Sequence, residues 1–127
     1  MYWAFLPLRR YAQFAGRSRR MEYFAFHLFL GLLVGSCTGV LFILEPTMNT
    51  ESLKVCIGGM SLLFALMAIP TLAVEVRRFH DLSLSGWYVL LNLIPVLGRL
   101  IVLLFMMRKG TTGPNRFGDD PVQTRAR

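Results

Sequence analysis

Residues 23–44 and 55–74 of this chain contain no Asp, Glu, Lys or Arg. As helices rising 1.5 Å per residue, each would span about 30 Å, the thickness of a bilayer's hydrocarbon core. A third stretch, 87–107, is equally long but holds Pro95, Gly98 and Arg99. Buried helices of a soluble bundle would each carry a polar face, and none of the three does. With 54% apolar and 17% charged residues, the chain reads as an integral membrane protein.

The net charge of +7 does not point to nucleic acid, because the arginines flank the apolar runs instead of lining a polar fold. Cys37 and Cys56 fall in or at the edge of separate apolar runs and read as small buried hydrophobes. No metal-ligand spacing is present, and no cofactor is expected. Ser18-Arg19-Arg20 faintly resembles a twin-arginine export signal, and Val34-Gly35-Ser36-Cys37 a lipoprotein cleavage box. The apolar run continues past Cys37 and the acidic Glu22 precedes it, so a retained anchor is expected.

Residues 2–14, YWAFLPLRRYAQF, mix aromatic rings with arginines and suit the headgroup zone, so they should lie on the membrane. Gly16 permits a turn, Ser18 can cap the first long helix, and Glu22 suits its first turn. Gly31, Gly35 and Gly39 share one face of that helix, and Gly58, Ser61, Ala65 and Ala68 form a similar stripe on the second. The two stripes read as packing partners across an antiparallel hairpin turned at 45–54. Pro70 can bend the second helix, which continues into the dense ionisable cluster 75–81. Ser85 can cap the third apolar stretch. The tail 110–127 carries Gly110, Gly113, Pro114, Gly118 and Pro121, which forbid a regular helix.

Four segments, GRSRRMEYF (16–24), PTLAVEVRRFHDLSLSGW (70–87), IPVLG (94–98) and GTTGPNRFGDDP (110–121), together resemble the domain-of-unknown-function 805 family of small bacterial inner-membrane proteins. That resemblance implies a compact multi-helix membrane domain with a cytoplasmic N-terminus, and no activity, substrate or cofactor. Glu75, usually small or neutral in such proteins, and Arg99, often aromatic or small, are departures.

Charge counting bears on topology. Three full crossings put seven Lys and Arg residues on the cytoplasmic side and six on the other, which is no bias. If residues 87–107 re-enter at 95–98, the count is twelve against one. Each limb would then reach only about 15 Å, so a straight span remains the alternative. The expected fold is therefore an all-α bundle in one domain, 1–127. It comprises an interfacial segment 1–17, a transmembrane bundle 18–109 with full crossings at about 23–44 and 55–74, and the polar tail. Both termini are expected in the cytoplasm of a bacterial inner-membrane protein.

Arg99, on a straight helix, would cost about 2.5–3.5 kcal/mol near the midplane unless it snorkels or pairs. Capping carbonyls at the Pro95 break is its simplest role. The segments 16–22, 75–81 and 113–120 interleave five of the seven acids with six arginines. They should fold into one cytoplasmic cap made of Arg17, Arg19, Arg20, Glu22, Glu75, Arg77, Arg78, His80, Asp81, Asn115, Arg116, Asp119 and Asp120. In it, Arg116, Asp119 and Asp120 would dock on Arg77, Arg78 and the Arg19–Arg20 turn. Three functions fit: a non-enzymatic module associating with itself or another membrane protein, a small transporter or channel using Arg99, and a headgroup-level enzyme using His80 oriented by Asp81. Anionic lipid headgroups are the expected surroundings of the arginines.

Overall fold

The structure, a computed structural model, describes residues 2–122. Met1 and residues 123–127 lie outside it, so the end of the tail and the Arg125 and Arg127 of the charge count are not described. The order is α1 (Tyr2–Arg9), α2 (Arg20–Leu44), a 3-10 turn (Glu45–Thr47), α3 (Thr50–Asp81), a 3-10 helix (Gly86–Leu93) and α4 (Leu97–Met107). The only pairing of β type among the described residues is the isolated one between Asn115 and Gly118.

Both long helices overrun their charge-free stretches. α2 has 25 residues and α3 has 32, or about 37 and 48 Å. Each adds a polar turn at the end where Arg20 and Asp81 lie. Asn49 caps α3 through a 2.8 Å bond from the Ser52 amide. Ser18 does not cap α2: Arg19 holds that position, while the buried Ser18 donates its amide to the Arg77 carbonyl at 3.1 Å. α3 passes through Pro70 without ending. Proline has no N–H for the carbonyl four residues back, and the Tyr11 hydroxyl donates to that Leu66 carbonyl instead. The N-terminal segment is thus fastened to the bundle, and does not merely lie on a membrane. Phe5 also packs on Phe29 of α2, with ring centroids 5.2 Å apart.

The third apolar stretch is a hairpin. Its 3-10 limb of eight residues and its α-helical limb of eleven are each about 16 Å long. Both ends sit at the last turns of α3. Gly86 lies so close that a Cβ there would be 2.8 Å from the Val76 side chain, and the Met106 carbonyl accepts from Arg78 at 3.3 Å. At the tip, the Leu97 amide bonds the Pro95 carbonyl at 2.6 Å around Val96, whose φ of 59° and ψ of −63° form a three-residue turn. Gly98 lets the limbs touch, since a Cβ would come within 1.7 Å of the Leu91 carbonyl oxygen.

Tyr23, Phe26, Val74, Phe79, Val102 and Met106 form the apolar core beside these turns. No residue from 27 to 69 is buried. The two small-residue stripes consequently do not pack together. Gly31, Gly35, Gly39 and Gly58 are exposed, and a Cβ on any of them would meet no atom within 4 Å. Ser61, Ala65 and Ala68 are exposed as well. α2 faces α3 through another side, where Cys37, Val40 and Leu44 look toward Cys56, Met60 and Leu63 across a cleft of about 450 Å³.

Candidate functional site

The ionisable residues gather where α2 begins, α3 ends and the tail returns. Arg77 and Arg78 are 0% and 1% exposed, and a buried guanidinium persists only if its donors find acceptors. Arg77 donates to Glu22 Oε1 at 3.1 Å and to the carbonyls of Arg10, at 3.2 Å, and Gln13. Arg78 donates to Asp81 and to the carbonyls of Arg108 and Met106. Neighbours in sequence therefore hold opposite sides: Arg77 the N-terminal segment, Arg78 the end of the hairpin.

Arg17 is the hub. Its Nε donates to Asp81 Oδ1 at 2.9 Å, one terminal nitrogen to the Gly113 and Gly118 carbonyls at 2.6 and 3.4 Å, and the other to the Thr111 carbonyl. The five donors of a planar guanidinium suit such a set, and a lysine has no equivalent fork. Within the tail the Gly118 carbonyl already accepts from the Asn115 amide at 3.0 Å, whereas the Gly113 and Thr111 carbonyls take their donors from Arg17, in a different part of the chain. Gly110 makes room for this junction, because a Cβ there would be 2.0 Å from Asp81 Oδ2.

Asn115 donates to the His80 carbonyl at 3.0 Å and to Ser83 Oγ at 3.2 Å. The His80 ring stacks on Phe117 with centroids 3.9 Å apart, and its Nδ1 is 3.2 Å from the Gly16 carbonyl. Asp120 accepts from the Val122 and Gly113 amides at 2.8 and 3.1 Å. The Val122 bond, followed by the Gly113 bond and the charges of Arg17 and Arg19, holds its carboxyl below the ordinary carboxylate range. Arg19 donates to the Pro121 carbonyl and lies over the Trp3 ring at 5.3 Å, and Arg20 reaches the Met107 carbonyl at 3.4 Å.

Several expected partnerships differ. Arg116 bonds the Ser83 carbonyl at 3.2 Å, Asp119 is exposed, and Asp120 serves tail amides, so none of the three bonds Arg77 or Arg78, while Asp119 and Asp120 share clefts with the Arg19–Arg20 turn. Those arginines take Glu22 and Asp81. Asp81 does not orient His80, since its carboxylate is held by Arg17 and Arg78. Glu75 lies below this assembly, where Asn92 donates to it at 2.8 Å. Arg99 reaches the Asn92 side-chain oxygen at 3.4 Å and caps no carbonyl at the Pro95 break. The parts played by Tyr11, His27, Asn92 and Thr111 escape sequence reasoning. Only Tyr11 leaves a signal, as a hydroxyl available for the carbonyl that any helix proline frees.

Among the described residues, no three His, Cys, Asp or Glu side chains gather as metal ligands would. Clefts open on the cap. One, of about 390 Å³, lies between Trp3, Arg10, Arg19 and Asp119. Another, of about 360 Å³, lies between Arg20, Lys109 and Asp120.

Two helices long and apolar enough to cross a bilayer, a shorter apolar hairpin and a charge-rich end define an all-α membrane protein. Comparison with known proteins makes this particular: the family described as "Protein of unknown function (DUF805)" matches residues 11–119, and the chain belongs to it. It is 36% identical to the inner membrane protein YhaI of Escherichia coli (strain K12) over 122 residues, covering 95% of this chain and 96% of that one. It is 38% identical to the inner membrane protein YhaH of the same organism over 125 residues, covering 95% and 97%. No solved structure matches. The relatives' names and the apolar helices agree on an inner-membrane location.

Proposed function

We propose that this protein is a non-enzymatic inner-membrane module that associates with a second copy of itself through the small-residue faces of α2 and α3. One observation carries the reading: Gly31, Gly35, Gly39 and Gly58 form open faces whose added Cβ atoms would meet nothing in the chain. Small residues on membrane helices let backbones approach closely. The two stripes suit each other, and since they do not meet within one chain, the α2 stripe of one copy is proposed to meet the α3 stripe of another. The cap supports a structural role over a catalytic one. His80 is stacked and Asp81 is doubly held by arginines.

The cap would face the cytoplasm, where twelve of the chain's Lys and Arg residues would then lie against the single Lys54 outside. Its basic clefts would sit among anionic headgroups. Native mass spectrometry of the full chain in mild detergent should show a dimer that Gly35→Leu converts to monomer. A dimer unchanged in Gly35→Leu and in Gly31→Leu, or a strictly monomeric native chain, would overturn the association.

A further inference from the structure

One polar cluster is not used by the cap. His27 of α2, Glu75 of α3, Asn92 of the 3-10 limb and Arg99 of α4 form a continuous chain of side chains. Glu75 lies six residues before Asp81 on α3, about 9 Å below the cap. Ionisable groups within membrane helices are costly and commonly mark proton or ion sites.

The hydrogens of this cluster can be assigned from its partners. Arg99 only donates, so the Asn92 oxygen faces it and the Asn92 amide nitrogen faces Glu75 Oε2. His27 Nδ1 is 2.9 Å from the Tyr23 carbonyl oxygen, which only accepts, so Nδ1 carries a hydrogen. In the neutral imidazole, Nε2 is then a bare acceptor. It faces Glu75 Oε1 at 3.8 Å, and both atoms are buried without a hydrogen-bond partner. Two acceptors aimed at each other repel, and the gap is too short for a water between them. One proton makes the same pair a charge-assisted hydrogen bond after an approach of about 1 Å.

The neighbours leave this need unmet. Arg99 of α4 reaches the cluster through Asn92, and Tyr23 of α2 lies in the fields of both Glu75 and Arg99. The 3-10 limb contributes the Asn92 amide, already spent on Oε2 and on the Val89 carbonyl at 3.0 Å. α1 presents Phe5 to Phe29 beside this region.

We propose that His27 and Glu75 bind one proton between them, making a proton-binding site within the membrane bundle. Asn92 joins the site to the hairpin, so the third segment is held by the same carboxylate that holds the proton. The site is independent of self-association.

The test uses the full chain in lipid nanodiscs at neutral pH. Isotope-labelled histidine gives two side-chain signals by NMR, and their protonation is read together with the infrared carbonyl band of a protonated carboxyl. His27→Gln assigns the His27 signal. The native chain should show either an imidazolium at His27 or an acid band from Glu75. Glu75→Gln should lose that one proton, leaving His27 neutral with its hydrogen on Nδ1 and no acid band. A neutral His27 together with a fully ionised Glu75 in the native sample would overturn the proposal, even if Glu75→Gln does not fold. So would a His27 signal and an infrared spectrum that Glu75→Gln leaves unchanged.

Discussion

The two ends of the bundle solve the same problem in opposite ways. At the cap end, Arg77 and Phe26 are both 0% exposed, while at the loop end Phe42 is 77% and Val55 75% exposed. In the loop half the backbone bonds lie within α2 and α3 except at the turn 45–49, at the Ser52 amide that Asn49 caps and at the Leu66 carbonyl that Tyr11 serves, which suits a lipid environment. In the cap half the chain is irregular, and arginine side chains supply what helix geometry would otherwise provide. Tertiary stability should therefore be concentrated in the cap and in the hairpin beneath it.

The largest effect should come from Arg77. Arg77→Met leaves Glu22 buried without its partner, takes the side-chain donor from the Gln13 carbonyl and leaves the Arg10 carbonyl with the Gln13 amide alone. A broken buried pair costs about 3–5 kcal/mol, so thermal unfolding in detergent should shift far down or folded protein should not be recovered. Replacing both partners, Arg77→Met with Glu22→Leu, should recover part of the loss. A double variant no better than the single would show that the carbonyls, and not the ion pair, need the arginine. Gly98→Ala comes next. Its Cβ meets the Leu91 carbonyl oxygen, a backbone atom that cannot swing aside, and forcing the limbs apart should cost about 1–3 kcal/mol. Melting identical to the native chain would mean that the hairpin is open.

How much of this was written in the sequence depends on the range of the interaction. The two crossings come from the absence of charge in 23–44 and 55–74, and the break from Pro95 and Gly98, because both are local properties of the chain. That charged segments would converge could be read from their interleaved signs. Which arginine meets which acid could not: Arg17 and Arg19 differ by two positions, yet Arg17 holds Asp81 and three tail carbonyls while Arg19 holds Pro121. Those partners lie 64 to 102 residues away, and their choice rests on packing. The Gly31, Gly35 and Gly39 spacing likewise identifies a shared face without saying what the face meets. Glu75 shows the same limit, since its neighbours in sequence belong to the cap while its side chain belongs to the hairpin.

Tyr11→Phe probes a single bond between the two ends. Removing the hydroxyl leaves the Leu66 carbonyl with neither the Pro70 amide nor a side-chain donor. The loss should be about 1 kcal/mol, read as a small drop in melting temperature. Pro70→Ala supplies the missing N–H and should make Tyr11→Phe nearly neutral in that background. An undiminished cost there would mean that Tyr11 acts through packing instead.

Gly35→Leu sharpens the contrast most, because it should change the melting of the monomer least. The substitution is larger than that of Gly98→Ala, adding four carbons where the other adds one. Yet the Gly35 Cβ position is open for 4 Å, whereas the Gly98 Cβ position is 1.7 Å from a carbonyl oxygen. Size alone would rank the two variants one way, and their surroundings rank them the other. The comparison must be made on monomer in detergent, since association would add its own stabilisation to the native chain. There, Gly35→Leu should melt with the lipid-facing control Leu32→Ile, and Gly98→Ala well below both. If Gly35→Leu melts as low as Gly98→Ala, the loop half of the bundle is packed through its glycine face, and the concentration of tertiary contacts at the cap end is wrong.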